Sequence, residues 1–327
     1  MIGILSANRH RNFTFHGRVL FIKQHVLSQS VHLAHVLPCS KTQANLIRQS
    51  YGKFLWSHRR EHPPLNVLIR PRNQGGLGAI IPFQFFHSLF VRSLFKSFIH
   101  PEGPERAVAT YWLAHPLSKY FPNKQQAAAP DQKAAPGYVK TSSATIITLL
   151  ESGHLTTSAA ASSKEIYQFL VSSIQQPGRT EIERPELDWP SIWKWVAKIK
   201  GRDGELVWDY CHNQLPTKAR LKSLHLATND TCPMCNTEAE TDEHLMLNCP
   251  TRNNISTWLR VQLTKLKCTS PIPNAIYGDI GSCTNRRSGL TLIRAYITAT
   301  WTARTRLKVP TVSELQSLWQ ALLHNHT

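Results

Sequence analysis

Three cysteines and one histidine near residue 240 constrain the fold of this chain more than any other feature. Cys232, Cys235, His244 and Cys249 follow the spacing C-x2-C-x8-H-x4-C. A Cys-x-x-Cys turn places two thiols on one side of a tight loop, and the other two residues can complete a tetrahedron from a following helical turn. Three sulfurs and one nitrogen suit Zn²⁺ and leave no coordination position open for water. The sequence therefore predicts one structural zinc ion.

Other interpretations of these cysteines stay open at this point. A thioredoxin-like redox pair would need a preceding buried strand, and the pattern before Cys232 does not provide one. Chance spacing is a second alternative, since the remaining cysteines are isolated. If His244 were misassigned, His212 or His225 could replace it, and an open site would allow a zinc enzyme. The clustering and the odd number of cysteines favour a reducing compartment.

The charge of the chain predicts a polyanionic partner. The sequence has 38 Lys and Arg against 20 Asp and Glu, which gives a net charge of +18. Up to residue 125 there are 16 basic residues and only three acidic ones, Glu61, Glu102 and Glu105. This scarcity of acids favours RNA or DNA binding over a generic solvated surface. The expected phosphate contacts are Arg18, Lys23, Lys53, Arg59, Arg60, Arg70, Arg72, Lys218, Arg220 and Lys222.

The predicted zinc loop is itself acidic. Between Cys232 and Cys249 there is no Lys or Arg, and the loop and its edge contain Asp230, Glu238, Glu240, Asp242 and Glu243. We expect this loop to repel phosphate, so that contacts from this region come from its flanks. The flanking basic residues are Lys218, Arg220 and Lys222 before it, and Arg252, Arg260, Lys265 and Lys267 after it. Zinc would then hold basic helices in register.

Apolar periodicity predicts helices along most of the chain. Helical spacing recurs at 19–27, 44–55 and 91–98, and again after Asp188, a potential N-cap, where five apolar residues share one face. The tryptophans of this last helix are expected to pack in the core and not to stack on bases. The glycines at 75–78 predict turns and a small hairpin within 65–82. QQAAAPDQKAAPG at 125–137 and the Ser/Thr/Ala run at 156–163 predict a linker.

The predicted architecture is mainly α. A basic helical module at 1–124 is followed by a flexible linker, in part of low complexity, at 125–187. A small zinc-stapled helical domain at 188–260 and C-terminal helices at 261–327 complete it. With neither an export signal nor a run of about 18 apolar residues, the chain is expected to be intracellular and not bound to a membrane.

Several of these motifs together resemble one family. VWDYCHNQLPTKARLKSL, CPMC, ETDEHLMLNC and then Trp258 are similar to the zinc-binding domain at the C-terminal end of LINE-type, non-LTR retrotransposon reverse transcriptases. HGRVLFIKQHVL at 16–27, KFLW ending at Trp56 and GGLG at 75–78 resemble the thumb and connector that follow the polymerase palm there. TWTARTR at 300–306 fits the closing helices of the family.

The resemblance implies a role in binding element RNA or target DNA during target-primed reverse transcription. It carries the four metal ligands over to Cys232, Cys235, His244 and Cys249, and it implies a nuclear location, or one shared with the cytoplasm. An upstream polymerase domain of the same element would be a further partner. The family's aromatic residue followed by paired aspartates is absent, and no two aspartates are adjacent. We therefore expect a fragment without the catalytic palm and without enzymatic activity; a protein-interaction scaffold stabilised by structural zinc is the alternative.

Overall fold

The prediction of a mainly helical chain is confirmed. The computed structural model describes residues 2–11, 13–56, 65–100, 104–127, 132–157, 159–174, 187–199 and 202–324. Across these ranges the secondary structure is helical, and the only β-type pairing is an isolated bridge between Thr231 and Ala239. No helix in the described part of the chain is both long and apolar enough to cross a membrane.

The α-helices follow one another through both halves of the chain. The first half contains α1 (Ile2–Ala7), α2 (Phe15–Phe21), α3 (Val31–Val36), α4 (Lys41–Trp56), α5 (Leu65–Ile69), α6 (Pro82–Ile99), α7 (Pro104–Leu113) and α8 (Gly137–Glu151). The second half contains α9 (Ser163–Ser172), α10 (Trp189–Val196), α11 (Arg202–Cys211), α12 (Lys218–Ser223), α13 (Asn253–Lys265), α14 (Ile272–Ala275), α15 (Arg286–Thr305) and α16 (Val312–His324). Two π-helical turns, Ile22–Leu27 and His244–Asn248, interrupt this pattern.

The chain divides into two compact units. Unit 1 comprises Met1–Arg11, Val19–His58 and Ala79–Arg179. Its central element is α6, which contacts α3, α4, α7, α8 and α9. Pro82 lies in the first turn of this helix, where a backbone N–H would have no intrahelical acceptor, so its missing N–H loses no hydrogen bond. Val91, Phe95 and Phe98 are fully buried along the helix. The helix predicted at 91–98 is therefore the C-terminal half of a longer one.

The linker predicted at 125–187 differs from the structure in two places. α8 and α9 lie within it, and Ile146, Leu149 and Ile166 from these helices are completely buried in the core of unit 1. Ser162 and Glu165 form a reciprocal capping box at the start of α9. The runs that suggested a linker, 125–137 and 156–163, precede these two helices in the sequence and overlap them only at Gly137 and Ser163. Residues 128–131, 158 and 175–186 of the predicted linker lie outside the described residues.

Unit 2 comprises Asn12–Arg18, Arg59–Gly78 and Thr180–Thr327. Its central element is α15, which contacts α11, α13 and α16. Asp188 caps α10 as predicted, because its carboxylate accepts the backbone N–H of Ser191 at 3.3 Å. The tryptophans of α10 and α11 are buried, which confirms that they pack in the core.

The hairpin predicted within 65–82 is wrong. The segment forms α5 and a short 3-10 turn that ends at Gly75, with φ of 84°. Its carbonyl accepts hydrogen bonds from Trp208 Nε1 at 3.0 Å and His212 Nε2 at 2.8 Å. A Cβ at this position would lie 2.6 Å from the Trp189 ring, so only glycine fits. The glycines serve close packing within unit 2, a long-range contact that a local turn pattern cannot reveal.

Candidate metal centre

The first two ligands sit on a tight loop held by backbone hydrogen bonds. The N–H of Cys232 donates to Glu238 O at 2.7 Å, and the N–H of Asn236 donates to Cys232 O at 2.9 Å. Asn236 adopts a left-handed φ of 59°, which asparagine tolerates better than most residues. This reversal brings the Cys232 and Cys235 side chains to one side of the loop.

The other two ligands are presented by the π-helical turn His244–Asn248. The N–H of Cys249 donates to His244 O at 2.8 Å, a bond that spans five residues. An α-helix, with 3.6 residues per turn, would point residues five apart in different directions, whereas the wider turn brings them closer together. The Thr241 hydroxyl accepts the N–H of His244, the first residue of this turn, at 3.0 Å. The helical turn predicted between the two ligands is thus present in its wider form.

The four ligand atoms lie close enough to bind one metal ion. All of them are within 4.8 Å of one another. Cys235 Sγ and His244 Nε2 are 3.4 Å apart. In a zinc tetrahedron with ordinary bond lengths, a sulfur and a nitrogen ligand are roughly 3.6 Å apart. The observed separation therefore fits zinc, and His244 is the histidine of the cluster.

Neither substitute histidine belongs to this cluster. His212 is bonded to the Gly75 carbonyl, and His225 is exposed at the end of α12. Three of the four ligands are buried, and Cys235 is half-buried. With a Cys3His donor set and no fifth ligand among the described residues, the arrangement is that of a closed structural site.

A second layer of hydrogen bonds orients the ligands. His244 Nδ1 donates to Glu238 Oε2 at 2.9 Å, which directs Nε2 towards the sulfurs. The Thr237 hydroxyl donates to Cys235 Sγ at 3.2 Å. Thr251 Oγ1 lies 3.1 Å from Cys249 Sγ. These three partners were not predicted from the sequence. The signal that could have revealed them is a carboxylate and two threonines that lie two to six residues from the ligands.

The thiols of the metal-free site differ in acidity. Burial raises the pKa of the Cys232 thiol to about 11. At Cys235 burial also acts to raise the pKa, but hydrogen bonds from the Thr237 hydroxyl and from backbone N–H groups outweigh it and lower the pKa to about 6. A thiolate is therefore available at Cys235 at neutral pH, and the other thiols release their protons when metal binds.

A buried carboxylate and a partly buried guanidinium join the metal loop to α15. Glu240 has no exposed surface, and its carboxylate accepts two hydrogen bonds from Arg304, both at 2.8 Å. The same carboxylate accepts the Lys218 N–H at 2.7 Å and so caps α12, whereas the preceding Thr217 makes no side-chain cap bond. Tyr296 Oη donates to Met246 O at 2.7 Å.

The acidity of the loop is lower than the sequence suggested. The Glu240 charge is neutralised by Arg304, and Asp230 forms a 3.0 Å ion pair with Lys222. Arg252, predicted to contact phosphate, is 1% exposed and donates to Thr300 O at 2.9 Å. Burial lowers the pKa of this guanidinium, and the nearby Cys249 thiol acts in the opposite direction. Arg252 thus serves as a buried countercharge beside the thiolates.

The other predicted phosphate contacts occupy both units. Lys23 and Lys53 belong to unit 1, and Arg18, Arg70, Arg72 and the three basic residues of α12 belong to unit 2. Arg59 and Arg60 lie outside the described residues. Arg72 is bonded to the His16 ring and lies 6.0 Å from the centre of the Trp193 ring. Arg18 lies 3.7 Å from the Glu205 carboxylate.

On α12 two of the three basic side chains form contacts within the protein. Arg220 donates to the backbone and side-chain oxygens of Gln214 at 3.0 and 2.6 Å, and Lys222 pairs with Asp230. These contacts hold the α12 side chains against their neighbours.

Comparison with known protein families agrees with the metal centre. Residues 162–258 match a family model described as zinc-binding in reverse transcriptase. This part of the chain is a reverse-transcriptase-related zinc domain. The match includes all four ligands, spans less than a third of the chain, and starts at the N-cap of α9, ahead of the predicted domain start at residue 188. No curated protein matches the chain.

Proposed function

We propose that this chain is a nucleic-acid-binding module whose reverse-transcriptase-related domain is stapled by one structural zinc ion. We further propose that it corresponds to the thumb, connector and zinc domain of a LINE-type element, without the catalytic palm. The observation that carries the proposal is the closed Cys3His cluster within the family match. The net charge of +18 supplies the affinity for phosphate.

The role assigned to zinc is mechanical. Its chemistry is the tetrahedral crosslinking of the loop at Cys232 and Cys235 to the turn at His244 and Cys249. Hydrogen bonds between protein residues then extend the stabilisation from the crosslinked segments to α15. Tyr296, Arg252 and Arg304 each connect α15 with the loop or the turn that follows it. Metal binding thus stabilises the central helix of unit 2.

We propose that the chain has no polymerase activity of its own. Nucleotidyl transfer needs carboxylates that converge on two metal ions. Before residue 125 the acidic residues are Glu61, Glu102 and Glu105, and only Glu105 lies within the described residues, exposed in the first turn of α7. Primer extension on an RNA template with Mg²⁺ or Mn²⁺ tests this proposal, and template-dependent synthesis that a carboxylate substitution abolishes would contradict it.

RNA or DNA is the proposed partner, and an upstream polymerase domain of the same element is a second one. A nuclear site of action, or one shared with the cytoplasm, would follow from target-primed reverse transcription. The direct test is binding of the full chain to RNA and DNA across a salt series. If about six phosphates are contacted, the slope of log K against log salt should be roughly −4 to −5. A slope near zero would refute nucleic-acid binding.

A protein-interaction scaffold is the second candidate, and one feature of unit 1 favours it. Leu33, Val36, Leu37 and Leu46 are between 52% and 73% exposed, unusual for large apolar residues. Several of them line an open groove of about 350 Å³ beside α3 and α4. A scaffold has no reason to show a steep salt dependence with nucleic acid, so the same salt series separates the two functions.

A further inference from the structure

A cleft in unit 2 collects basic side chains that are distant in sequence. It lies between α10 and the N-terminal half of α15 and has a volume of about 780 Å³. Among the described residues, five cations and no carboxylate line it. They are Lys194, Lys198, Arg286, Arg287 and Arg294. None belongs to the set predicted to contact phosphate.

The electrostatic balance of this cleft is positive. Arg294, the innermost cation, pairs with Asp203 through bonds of 2.9 and 2.6 Å. Asp188, which lies near Lys194 and Arg286, is engaged in capping α10. The remaining four cations are exposed. The N-terminus of α15, a helix of 20 residues, adds the partial positive charge of its aligned peptide dipoles.

The shape of the cleft suits a polymer better than a small ion. Lys194 lies in the last turn of α10 and Lys198 just beyond its end, and Arg286 and Arg287 line the cleft from α15. The floor between the two sides is apolar and includes Trp195, Ile199 and Leu290. Trp195 is fixed there by close packing, because a Cβ at Gly278 would lie 2.7 Å from its ring.

We propose that this cleft holds the sugar–phosphate backbone of a nucleic-acid strand. Phosphodiester groups contact the basic sides, and the apolar floor accommodates sugars or bases. The inference rests on the proposed nucleic-acid-binding function and gives it a location. It also assigns nucleic-acid affinity to the C-terminal part of the chain, in addition to the N-terminal basic residues that the charge composition favoured.

The test compares two double variants of the full, zinc-loaded chain that remove the same charges. Lys198→Gln with Arg286→Gln alters the cleft, and Arg306→Gln with Lys308→Gln alters exposed residues at the other end of α15. Binding of labelled oligo(U) and oligo(dT) is followed by fluorescence anisotropy across a salt series. If the cleft variant loses two phosphate contacts, the log–log salt slope becomes shallower by about 1.4, and the control variant keeps the wild-type slope. Equal helicity and zinc content verify that both variants fold.

The possible results distinguish failure of the proposed nucleic-acid-binding function from failure of the cleft assignment. Failure of the wild-type chain to bind either oligonucleotide would refute the proposed function and the cleft with it. Strong wild-type binding with an unchanged slope in the cleft variant, or with equal losses in both variants, would overturn the cleft alone. Equal loss with oligo(U) and oligo(dT) supports phosphate recognition. Loss confined to oligo(U) would show that the cleft recognises ribose hydroxyls and would overturn the phosphate assignment.

Discussion

Substitution of Glu240 by glutamine should destabilise unit 2 severely. The buried carboxylate accepts two charge-assisted bonds from Arg304 and one from the Lys218 N–H. An amide has only one oxygen, so at least one donor loses its acceptor and the Arg304 guanidinium loses its countercharge. Removal of one partner of a buried ion pair costs about 3–5 kcal/mol. For a unit of this size, that corresponds to a decrease in Tm of roughly 10 °C.

The assay is thermal unfolding followed by circular dichroism, with zinc content measured for each variant. Glu243→Gln is the matched control, because Glu243 is exposed three residues further along the same loop. Its effect should stay within about 0.5 kcal/mol. A Glu240→Leu/Arg304→Met double variant should recover much of the lost stability, since it buries no unpaired charge. A Glu240→Gln protein as stable as the Glu243→Gln control would refute this account of the ion pair.

Three further predictions concern the metal and the core of unit 1. The chain should contain one zinc by elemental analysis. Cys235→Ser or a chelator should remove hydrogen-exchange protection near 215–260, while α4 and α6 stay protected. Purification of a folded chain without zinc would contradict this prediction. Glu238→Gln should weaken zinc affinity by about 10–100-fold in a competition titration, because His244 loses its orienting acceptor, whereas an unchanged affinity would argue against that role. Burial lowers the pKa of His87 from 6.5 to about 4, so the unfolded state binds more protons between these values. Stability should therefore fall as the pH drops through this window, by about 3 kcal/mol in total, and the loss should be absent in His87→Gln.

Local sequence patterns were sufficient for the metal ligands and for the stronger helices. The ligand spacing identified Cys232, Cys235, His244 and Cys249, and the capping role of Asp188 followed from one side chain beside an apolar periodicity. These features depend on residues within about twenty positions of one another. Their physical causes, metal coordination and helix capping, involve only residues that are close in sequence, so a local pattern can indicate them.

Features that depend on distant partners could not be predicted. Arg304 follows Glu240 by 64 residues, and the cleft combines Lys198 with Arg286 across two helices. The helices within the predicted linker were missed for another reason. Their buried side chains are few, and the surrounding Ser, Thr and Ala residues gave the segment the composition of a linker. Only the packing of unit 1 distinguishes Ile146 from an apolar residue in a flexible segment.

The Gly75 turn has a consequence for the synthesis of this protein. Its hydrogen-bond partner Trp208 lies 133 residues further along the chain. At ordinary rates of translation, the ribosome takes on the order of ten seconds to add a segment of that length. During this interval the Gly75 carbonyl has neither Trp208 nor His212 as a donor, and Leu77, which is 1% exposed in the finished fold, is synthesised before most of its unit. Chaperones that bind short apolar segments should therefore meet this turn on the nascent chain, and a slowed ribosome between residues 78 and 208 would prolong the encounter.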